Sequence, residues 1–576
     1  MSRQRKSVPD TFASIVKMLA AVLAVAVLVA AQNVYAARLY VNASSTGSNP
    51  DGSSWAKAFH NLQDALDKAA STNGADEIWV ATGKYQPTRI YTVGGHTGGA
   101  YGRDNPGASD LVNLRTFNLP DQVTILGGFQ GNETGPDKRD PVKHPTVLDG
   151  GGSAYHVITA GDDVAQTGVT ATLDSLTISG GNAAGAAGGS FFQAFQYQHN
   201  YGGGLYIAFG SNITVQNVQF TNNQTAPFTA PNAGDGAGLF ANSSDVKIIN
   251  SYFGHNVSGL RGGALEILNT FEGGTPHTST ISRTVFDSNT TGLFGGAIVG
   301  EGTFPNPNSQ MNIDQSSFTG NEAIEGGAIV FDSLTTNVQD TVFQSNHAFV
   351  NGGALSTTNV VDTIVYTVLG QAPIPFFTTT IANCLFIANV ADGNLAIHDT
   401  EMFGSPDVSR IDFALGGGAL VTYMNGYTDV SNSVFADNSA VGGDGGAILN
   451  GASATVGGFG ATAYDVQTTV KNSTFIGNSA PAGNGGAIAS LRDPRVYGMV
   501  DFRVAARENT RMIVDNSNFQ SNSTGGNGAG MYFDHSTAQF KNDNFSGNTA
   551  NMVLNAIYGQ DSIINGTLRT TYITTR

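Results

Sequence analysis

Charged side chains that could carry chemistry are concentrated in one insertion of this chain. Residues 491–511 read LRDPRVYGMVDFRVAARENTR, a dense charged run in a sequence of which only 12% is charged. Carboxylate and guanidinium groups held side by side can bind a glycan or a protein, or can transfer protons once their pKa values are shifted. If the chain is an enzyme, Asp493 and Arg495 are its candidate catalytic residues. The alternative is a solvated hairpin.

The common catalytic and cofactor-binding motifs are absent from the sequence. It contains no GxSxG, HExxH or GxxxxGK pattern, no cysteine–histidine cluster and no GGxGxD calcium repeat. The histidines are scattered, and we expect His255 and His347 to be exposed. Cys384, the single cysteine, takes a repeat position that other copies fill with serine, which favours a buried small side chain over a reactive thiol. We therefore predict no metal ion and no cofactor.

A repeated Phe-x-x-Asn step supplies the framework that must hold any such residues. It occurs ten times at spacings of 25 to 49 residues, and the residue five positions before each phenylalanine is apolar. A repeat whose length varies only by insertion is typical of a solenoid. The offset of five residues predicts a strand, then a bend, then a second residue that points into the core. The phenylalanines are Phe220, Phe253, Phe286, Phe318, Phe343, Phe386, Phe435, Phe475, Phe519 and Phe545. The apolar residues are Val215, Ile248, Ile281, Ile313, Val338, Ile381, Val430, Val470, Val514 and Phe540.

Asparagine, glycine and alanine mark the corners of the predicted coil. Asparagine follows every repeat phenylalanine by three residues and precedes it by three in seven copies. If coils stack about 4.8 Å apart, each amide can bond to its equivalent in the next coil, which fixes the register. Glycine pairs, as at Gly262 and Gly352, precede the next strand, and alanine at the fifth position after the phenylalanine in six copies predicts a tight corner.

Stacking also sets the test for an acidic site. Carboxylates that bind calcium or shift one another's pKa should lie at equal offsets in neighbouring coils. None of the acidic residues compared has another of them at the same offset in a neighbouring coil, so the sequence predicts no acidic column. The residues compared are Asp287, Glu322, Asp340, Asp437, Asp543, Glu266, Asp332 and Asp534.

The N-terminal 150 residues differ from the repeats. Residues 1–36 have a basic start and an apolar run that predict a signal peptide cleaved after Ala36, with an uncleaved anchor as the alternative. Residues 37–150 are predicted to form an N-terminal cap and the first irregular coils. The apolar residues between Phe59 and Ala70 recur at helical spacing, and Ser53 and Ser54 are the expected capping residues. Residues 151–576 are predicted to form the solenoid.

Composition excludes some partners. The net charge of −17 argues against nucleic-acid binding by bulk attraction. The 28 residues after Asn548 leave no room for an integral membrane barrel, and we expect a monomer.

The repeats resemble those of secreted bacterial right-handed parallel β-helix proteins of the pectin-lyase-like superfamily, specifically members with polymorphic outer membrane protein repeats. The resemblance rests on FxxN with GGA[IL] between about residues 200 and 550, and on the stretches YVNASSTGSNPDGSSWAKAFHNLQDAL and ADEIWVATGKYQPT. It implies an all-β, single-stranded right-handed parallel β-helix with a cap that contains a short amphipathic helix. It does not fix the function, because the superfamily includes adhesins as well as polysaccharide lyases and hydrolases.

Two functions remain open. The favoured hypothesis is a secreted or cell-surface structural or adhesin-like β-helix, retained outside the cell or at the outer membrane, that presents loops to a polysaccharide or a protein surface. The alternative is a carbohydrate-active enzyme, a lyase or glycoside hydrolase, with its groove beside the long loops 356–385 and 489–515. A further insertion at 392–413 leaves from a different corner of the coil.

Overall fold

The chain forms a stack of coils in which nearly every strand is parallel to its neighbour. The computed structural model describes residues 38–72, 76–90, 92–93, 96–97, 110–162, 165, 167–185, 199–230, 233–269, 276–302, 309–358, 377–394, 415–423, 426–452, 455–457, 460–462, 466–492, 510–551, 553–554, 556–560, 562–568 and 573–575. The predicted signal peptide at 1–36 lies outside these residues, as does most of the three long insertions.

Each regular coil contributes one strand to each of four ladders, which we name sheets A, B, C and D. In one coil the strands are Leu239–Asn242 in sheet D, Asp245–Ile249 in sheet A, Tyr252–Gly254 in sheet B and Val257–Ser258 in sheet C. A glycine corner then returns the chain to sheet D. Sheets A and B are joined through one strand, Thr537–Ser546, which pairs with both.

Sheets A and B carry the repeat residues that face the core. Sheet A consists of Arg38–Val41, Glu77–Ala81, Val123–Phe129, Thr170–Asp174, Asn212–Gln216, Asp245–Ile249, Thr278–Ser282, Gln310–Asp314, Thr335–Gln339, Thr378–Ala382, Tyr427–Ser431, Val466–Lys471, Thr510–Asp515, Thr537–Ser546 and Ile563–Leu568. Besides that shared strand, sheet B consists of Gly83–Tyr85, Thr146–Asp149, Thr177–Ser179, Gln219–Thr221, Tyr252–Gly254, Val285–Asp287, Ser317–Thr319, Val342–Gln344, Leu385–Ile387, Val434–Ala436, Thr474–Ile476 and Asn518–Gln520.

Sheets C and D close the coil. Sheet C consists of Asn182–Ala183, Gln224–Thr225, Val257–Ser258, Thr290–Thr291, Glu322–Glu325, His347–Asn351, Val390–Ala391, Ser439–Ala440, Ser479–Ala480, Ser523–Thr524, Thr549–Ala550 and Val553–Leu554. Sheet D consists of Phe117–Leu119, Ile158–Ala160, Leu205–Ile207, Leu239–Asn242, Leu265–Asn269, Ile298–Gly302, Ile329–Asp332, Leu355–Thr358, Leu420–Tyr423, Ile448–Ala452, Ile488–Arg492, Met531–Asp534, Ile557–Gln560 and Ile573–Thr575.

The remaining elements are short. The α-helices are Leu62–Ala70 and Asp110–Asn113, and the 3₁₀ helices are Trp55–Lys57 and Pro136–Lys138. Two small antiparallel hairpins pair Thr92–Val93 with His96–Thr97 and Thr455–Gly457 with Gly460–Thr462. Within the described residues, no helix has the length and apolarity needed to cross a membrane.

The predicted columns of apolar residues are confirmed. The residue five positions before each phenylalanine pairs in register with its counterpart in the next coil, as Ile248 does with Ile281 and Ile281 with Ile313. The repeat phenylalanines stack face to face with ring centroids 4.6–5.0 Å apart. Burial of each ring contributes about 1.5 to 3 kcal/mol, so this column is a main source of the stack's stability.

The asparagine that follows each phenylalanine forms a continuous buried ladder. The Asn346 side chain donates through Nδ2 to Asn389 Oδ1 over 2.9 Å and to the carbonyl of Phe318 over 3.0 Å. The asparagine that precedes the phenylalanine has a different role, because it adopts left-handed backbone angles, with φ of 55° at Asn217 and 55° at Asn383. Asparagine tolerates this region better than most residues, so here it forms the bend between sheets A and B.

The cap is confirmed, but its capping residue was predicted wrongly. The amphipathic helix begins at Leu62, and Asn61 rather than Ser53 or Ser54 caps it, since Asn61 Oδ1 accepts a hydrogen bond from the amide of Asp64 over 2.9 Å. Ser54 instead precedes the 3₁₀ helix Trp55–Lys57 without a side-chain capping bond. The sequence offers both serine and asparagine, and the extra 3₁₀ turn shifts the helix start by several residues.

Cys384 is buried, and we expect it to be unreactive. Burial raises the pKa of its thiol to about 12, and its Sγ lies 3.3 Å from the carbonyl of Ala382. Ser433 makes the same contact in the next coil, donating to the Ser431 carbonyl over 2.8 Å. Cys384→Ser should therefore change the free energy of unfolding by less than about 1 kcal/mol. Rapid modification of the folded chain by a thiol reagent at neutral pH would contradict this expectation.

Candidate functional site

The sequence-based catalytic candidates, Asp493 and Arg495, lie outside the described residues. The strand before them ends at Arg492, and the next described strand begins at Thr510. Asp493 and Arg495 therefore stay a sequence-based prediction.

The outward face of sheet D differs from that of sheet A. In the strand Leu265–Asn269, Leu265 and Ile267 point into the core, so the alternation of a strand places Glu266 and Leu268 on the outside. Glu266 is nevertheless buried, whereas Lys247 on the outward face of sheet A is exposed. A charged residue on the outward face of a strand is usually exposed, because burying its charge is costly unless a partner balances it.

The partner is Arg261, which precedes the same strand. Its guanidinium forms an ion pair with Glu301 of the next coil, and its Nη1 lies 3.9 Å from Glu266 Oε1. Asp235, from the previous coil, pairs with Arg261 through the backbone and accepts a hydrogen bond from the hydroxyl of Tyr201. We call Asp235, Arg261, Glu266 and Glu301 the Arg261 cluster. It brings three carboxylates from three coils around one guanidinium.

Burial controls the protonation of this cluster. It raises the pKa of Asp235 to about 7, although Arg261 opposes the shift and Glu301 adds to it. Burial also raises the pKa of Glu266, with the Asp235 charge as the next cause. Arg261 stays charged, because the neighbouring carboxylates outweigh the effect of its own burial. One guanidinium cannot balance three ionised carboxylates in a low dielectric, so the cluster holds protons near neutral pH.

Of the four residues of the Arg261 cluster, only Arg261 has a partly exposed side chain. The Arg261 side chain is 24% exposed, whereas Asp235, Glu266 and Glu301 are each 5% exposed or less. Phe294 is partly exposed beside it, and the Arg261 guanidinium carbon lies 6.0 Å from the Phe294 ring centroid. Tyr201, also partly exposed, donates to Asp235 and packs on Phe240. The carboxylates therefore hold an arginine in place beside an aromatic ring.

The Arg261 cluster predicts an unusual pH dependence of stability. The folded chain keeps a proton on Asp235 that the unfolded chain, with a pKa of 3.8, has released, so this contribution is present at low pH and is lost as pH rises toward about 7. The slope approaches about −1.4 kcal/mol per pH unit. His156 acts in the opposite sense, because burial lowers its pKa to about 3 and its contribution is lost as pH falls below 6.5.

The variant Asp235→Asn separates the two contributions, because it leaves His156 in place. Subtracting the pH profile of the variant's unfolding free energy from that of the wild type should leave a difference that declines between about pH 4 and 7. Urea unfolding at a series of pH values measures it. Parallel profiles for the two proteins would show that Asp235 does not hold the proton.

A further buried carboxylate, that of Glu325, lies at the end of a sheet C strand and contacts side chains of sheet D. Glu325 Oε1 accepts hydrogen bonds from Ser356 Oγ, over 2.7 Å, and from the Tyr423 hydroxyl. Burial raises the pKa of Glu325, and the two donors only partly counter it. Tyr423 belongs to an apolar strip with Leu449, Leu491 and Tyr532. These contacts are internal, so they support the face rather than present a further site.

His347 is less exposed than predicted. Its ring lies between two carboxylates, 3.3 Å from Glu322 in sheet C and 3.0 Å from Asp392, which follows the sheet C strand Val390–Ala391. The His347 side chain is 29% exposed. His255 is exposed, as predicted. Across the described ranges, no group of three or more His, Cys, Asp or Glu side chains is arranged to hold a metal ion.

The sequence comparison of offsets missed the Arg261 cluster. Glu301 and Asp332 do pair in register on sheet D, but Asp235, Glu266 and Glu301 come from three different positions of their coils. Long side chains converge on Arg261 even though their Cα atoms are not stacked. An arginine at the glycine corner, where other coils have Phe294 or Asn351, is the better sequence signal for this cluster.

Comparisons with known proteins agree with the repeat. A family model described as the Chlamydia polymorphic membrane protein repeat matches residues 472–491. No curated protein sequence matches the chain. The matched residues contain one copy of the FxxN and GGA[IL] pattern, and the stacked ladders show that the chain is a parallel β-helix.

Solved structures with similar coordinates are distant. PfbA, a surface adhesin of Streptococcus pneumoniae, has 14% identity and a TM-score of 0.32, over 88% of each chain. DFA-IIIase from Arthrobacter chlorophenolicus A6 without its lid has 11% identity and a TM-score of 0.34, over 84% of this chain and 95% of its own. The catalytic domain of a GH87 α-1,3-glucanase in complex with nigerose has 11% identity and a TM-score of 0.28, over 93% of this chain and 68% of its own. We infer no function from them.

Proposed function

We propose that this chain is a secreted or cell-surface β-helix of the adhesin type, and that it binds a neutral polysaccharide at Arg261. The observation that carries the proposal is the partly exposed Arg261 side chain, which buried carboxylates hold beside Phe294. Sugar rings present apolar faces and hydroxyl groups, which aromatic rings and a guanidinium match. Backbone pairing of Arg261 with Asp235 and with Phe294 at the glycine corner keeps these groups in one geometry.

The charge around Arg261 favours a neutral glycan over an anionic one. Three carboxylates lie behind the guanidinium, and the whole chain carries a net charge of −17. An anionic polymer would be repelled at long range, whereas hydroxyl groups can accept hydrogen bonds from Arg261 without that penalty.

A glycan array and a product assay on the same purified protein test this proposal. We expect binding to one or more neutral polysaccharides and no release of reducing sugar or unsaturated product. Binding confined to anionic glycans, or no binding to any glycan, would contradict the proposal.

A carbohydrate-active enzyme is the second candidate, and the Arg261 cluster is the observation that favours it. A carboxyl group whose pKa is raised to about 7, as burial does for Asp235, suits a general acid, and Glu301 lies in the same cluster. Against catalysis stands the burial of all three carboxylates, because a general acid must come within hydrogen-bond reach of the substrate.

Turnover measurements on variants distinguish the possible catalytic groups. Product formation that disappears in Asp235→Asn but persists in Asp493→Ala would assign catalysis to the Arg261 cluster. The reverse pattern would assign it to the insertion that contains Asp493 and Arg495. No turnover in the wild type supports the binding function.

A further inference from the structure

We propose that a polysaccharide bound at Arg261 extends along the stack toward the cap and packs on a second contact, the aromatic pair Tyr155 and His199. This inference rests on the proposed function and adds a second contact for the same ligand. The two rings lie with their centroids 5.3 Å apart, and both side chains are partly exposed. We call Tyr155 and His199 the aromatic platform.

The aromatic platform and Arg261 lie along the same edge of the coil. Tyr155 comes three residues before the sheet D strand Ile158–Ala160, and Arg261 comes four residues before the sheet D strand Leu265–Asn269. Two further strands of sheet D lie between these two. Neighbouring strands are about 4.8 Å apart, so Tyr155 lies three coils, or about 14 Å, from Arg261 along the axis of the stack.

A series of packed rings joins the aromatic platform to the Arg261 cluster. The last ring of the series belongs to Tyr201, whose hydroxyl donates to Asp235 of the cluster. Because this packing fixes the distance between the platform and Arg261, a ligand that contacts both meets a preformed surface. In order from the platform, the rings are those of His199, His156, Tyr206, Phe240 and Tyr201, and the centroids of neighbouring rings lie 4.9–5.7 Å apart.

The partly exposed rings near Arg261 extend mainly toward the cap. On that side Tyr201 and both residues of the aromatic platform are partly exposed. On the other side Phe294 pairs with Arg261 at the glycine corner, and the next residue of that row, Glu325, is buried. A glycan chain that binds at Arg261 therefore finds most of its aromatic contacts in the direction of the cap.

The distance between the two contacts selects the size of the ligand. A single sugar ring does not span about 14 Å, whereas a chain of several rings does. Aromatic side chains offer such a chain an apolar face for its C–H groups, and the polar tip of tyrosine can bond to its hydroxyl groups. The ligand class is therefore an extended neutral oligosaccharide or polysaccharide.

Isothermal titration calorimetry on the full chain tests the aromatic platform with matched short and long glycans. The probes are maltose and maltohexaose, cellobiose and cellohexaose, laminaribiose and laminarihexaose, and mannobiose and mannohexaose. At least one hexasaccharide should bind more tightly than its disaccharide, because only the longer chain reaches both contacts. Tyr155→Ala should weaken binding of that hexasaccharide about five- to tenfold and leave binding of the disaccharide unchanged. Arg261→Lys should weaken binding of both.

Three further variants separate a ligand contact from a structural role. Tyr155→Phe keeps the ring and should keep wild-type affinity. Tyr252→Ala removes a partly exposed tyrosine of sheet B and should also keep it. His199→Ala removes the other half of the platform and should reproduce the loss that depends on glycan length. A melting curve of each variant checks that the protein compared is folded.

Two outcomes would overturn the inference and leave the Arg261 proposal standing. The first is hexasaccharide binding that Arg261→Lys weakens but Tyr155→Ala and His199→Ala do not. The second is equal affinity of the wild type for every hexasaccharide and its disaccharide. Absence of binding by all eight probes would also overturn the inference, and the glycan array then decides separately whether the Arg261 proposal stands.

Discussion

Asn389→Ala is expected to lower the free energy of unfolding by about 3 to 5 kcal/mol. Asn389 Oδ1 accepts from the backbone and side-chain nitrogens of Asn346, over 3.0 and 2.9 Å. Its Nδ2 donates to the Phe343 carbonyl over 3.0 Å and to Asn438 Oδ1 over 2.9 Å. The variant leaves several buried groups without a partner, and each costs about 1 to 3 kcal/mol. Urea unfolding followed by far-ultraviolet circular dichroism measures the change.

The matched control is Asn337→Ala. Asn337 is an exposed asparagine on sheet A whose Nδ2 bonds to Asn312 over 2.9 Å, so the chemical change is the same but water replaces the lost contact. We expect a loss of less than about 1 kcal/mol. Equal losses for the two variants would show that the buried ladder does not stabilise the stack.

Arg261→Met is expected to cost about 3 to 5 kcal/mol at pH 7, because it leaves three buried carboxylates without their counter-charge. The loss should be smaller near pH 5, where carboxyl groups with raised pKa values take up protons and the repulsion falls. Urea unfolding at the two pH values measures both effects.

Lys247→Ala is the control for Arg261→Met. Lys247 is an exposed cation on sheet A in the preceding coil, and its removal should change stability by less than about 0.5 kcal/mol. A loss for Arg261→Met that does not depend on pH would indicate that packing of the arginine stem, rather than charge balance, is what the variant removes.

The fold could be predicted because its core residues repeat in every coil. The Arg261 cluster could not be predicted, because its contacts do not repeat. Phe220 and Val215 mark every coil because their equivalents stack, so a periodic pattern carries the information. The bend at Asn217 is also periodic, although its left-handed backbone was not foreseen. The Arg261 cluster occurs once in the described coils, and Asp235, Glu266 and Glu301 reach it from unequal offsets. These contacts arise from the length of the side chains and not from the register of the strands, so a periodic sequence pattern does not reveal them.

The N-terminal cap shows the same limit. Helical spacing predicted the helix Leu62–Ala70, but two serines competed with Asn61 as its cap, and only the path of the chain decides between them. The contact of this helix with the strand Phe117–Leu119 also depends on the path of the chain. That contact joins residues about 50 positions apart and has no counterpart in the repeats.

The most direct test of the proposed function is the affinity of the chain for the neutral polysaccharide that binds most tightly on the array. Arg261→Lys keeps the positive charge inside the cluster but removes the planar fork of donors. Titration should show binding at least about tenfold weaker for Arg261→Lys, with wild-type affinity for Lys247→Ala and little change in stability for either. Wild-type affinity in Arg261→Lys would contradict the proposal that Arg261 contacts the ligand.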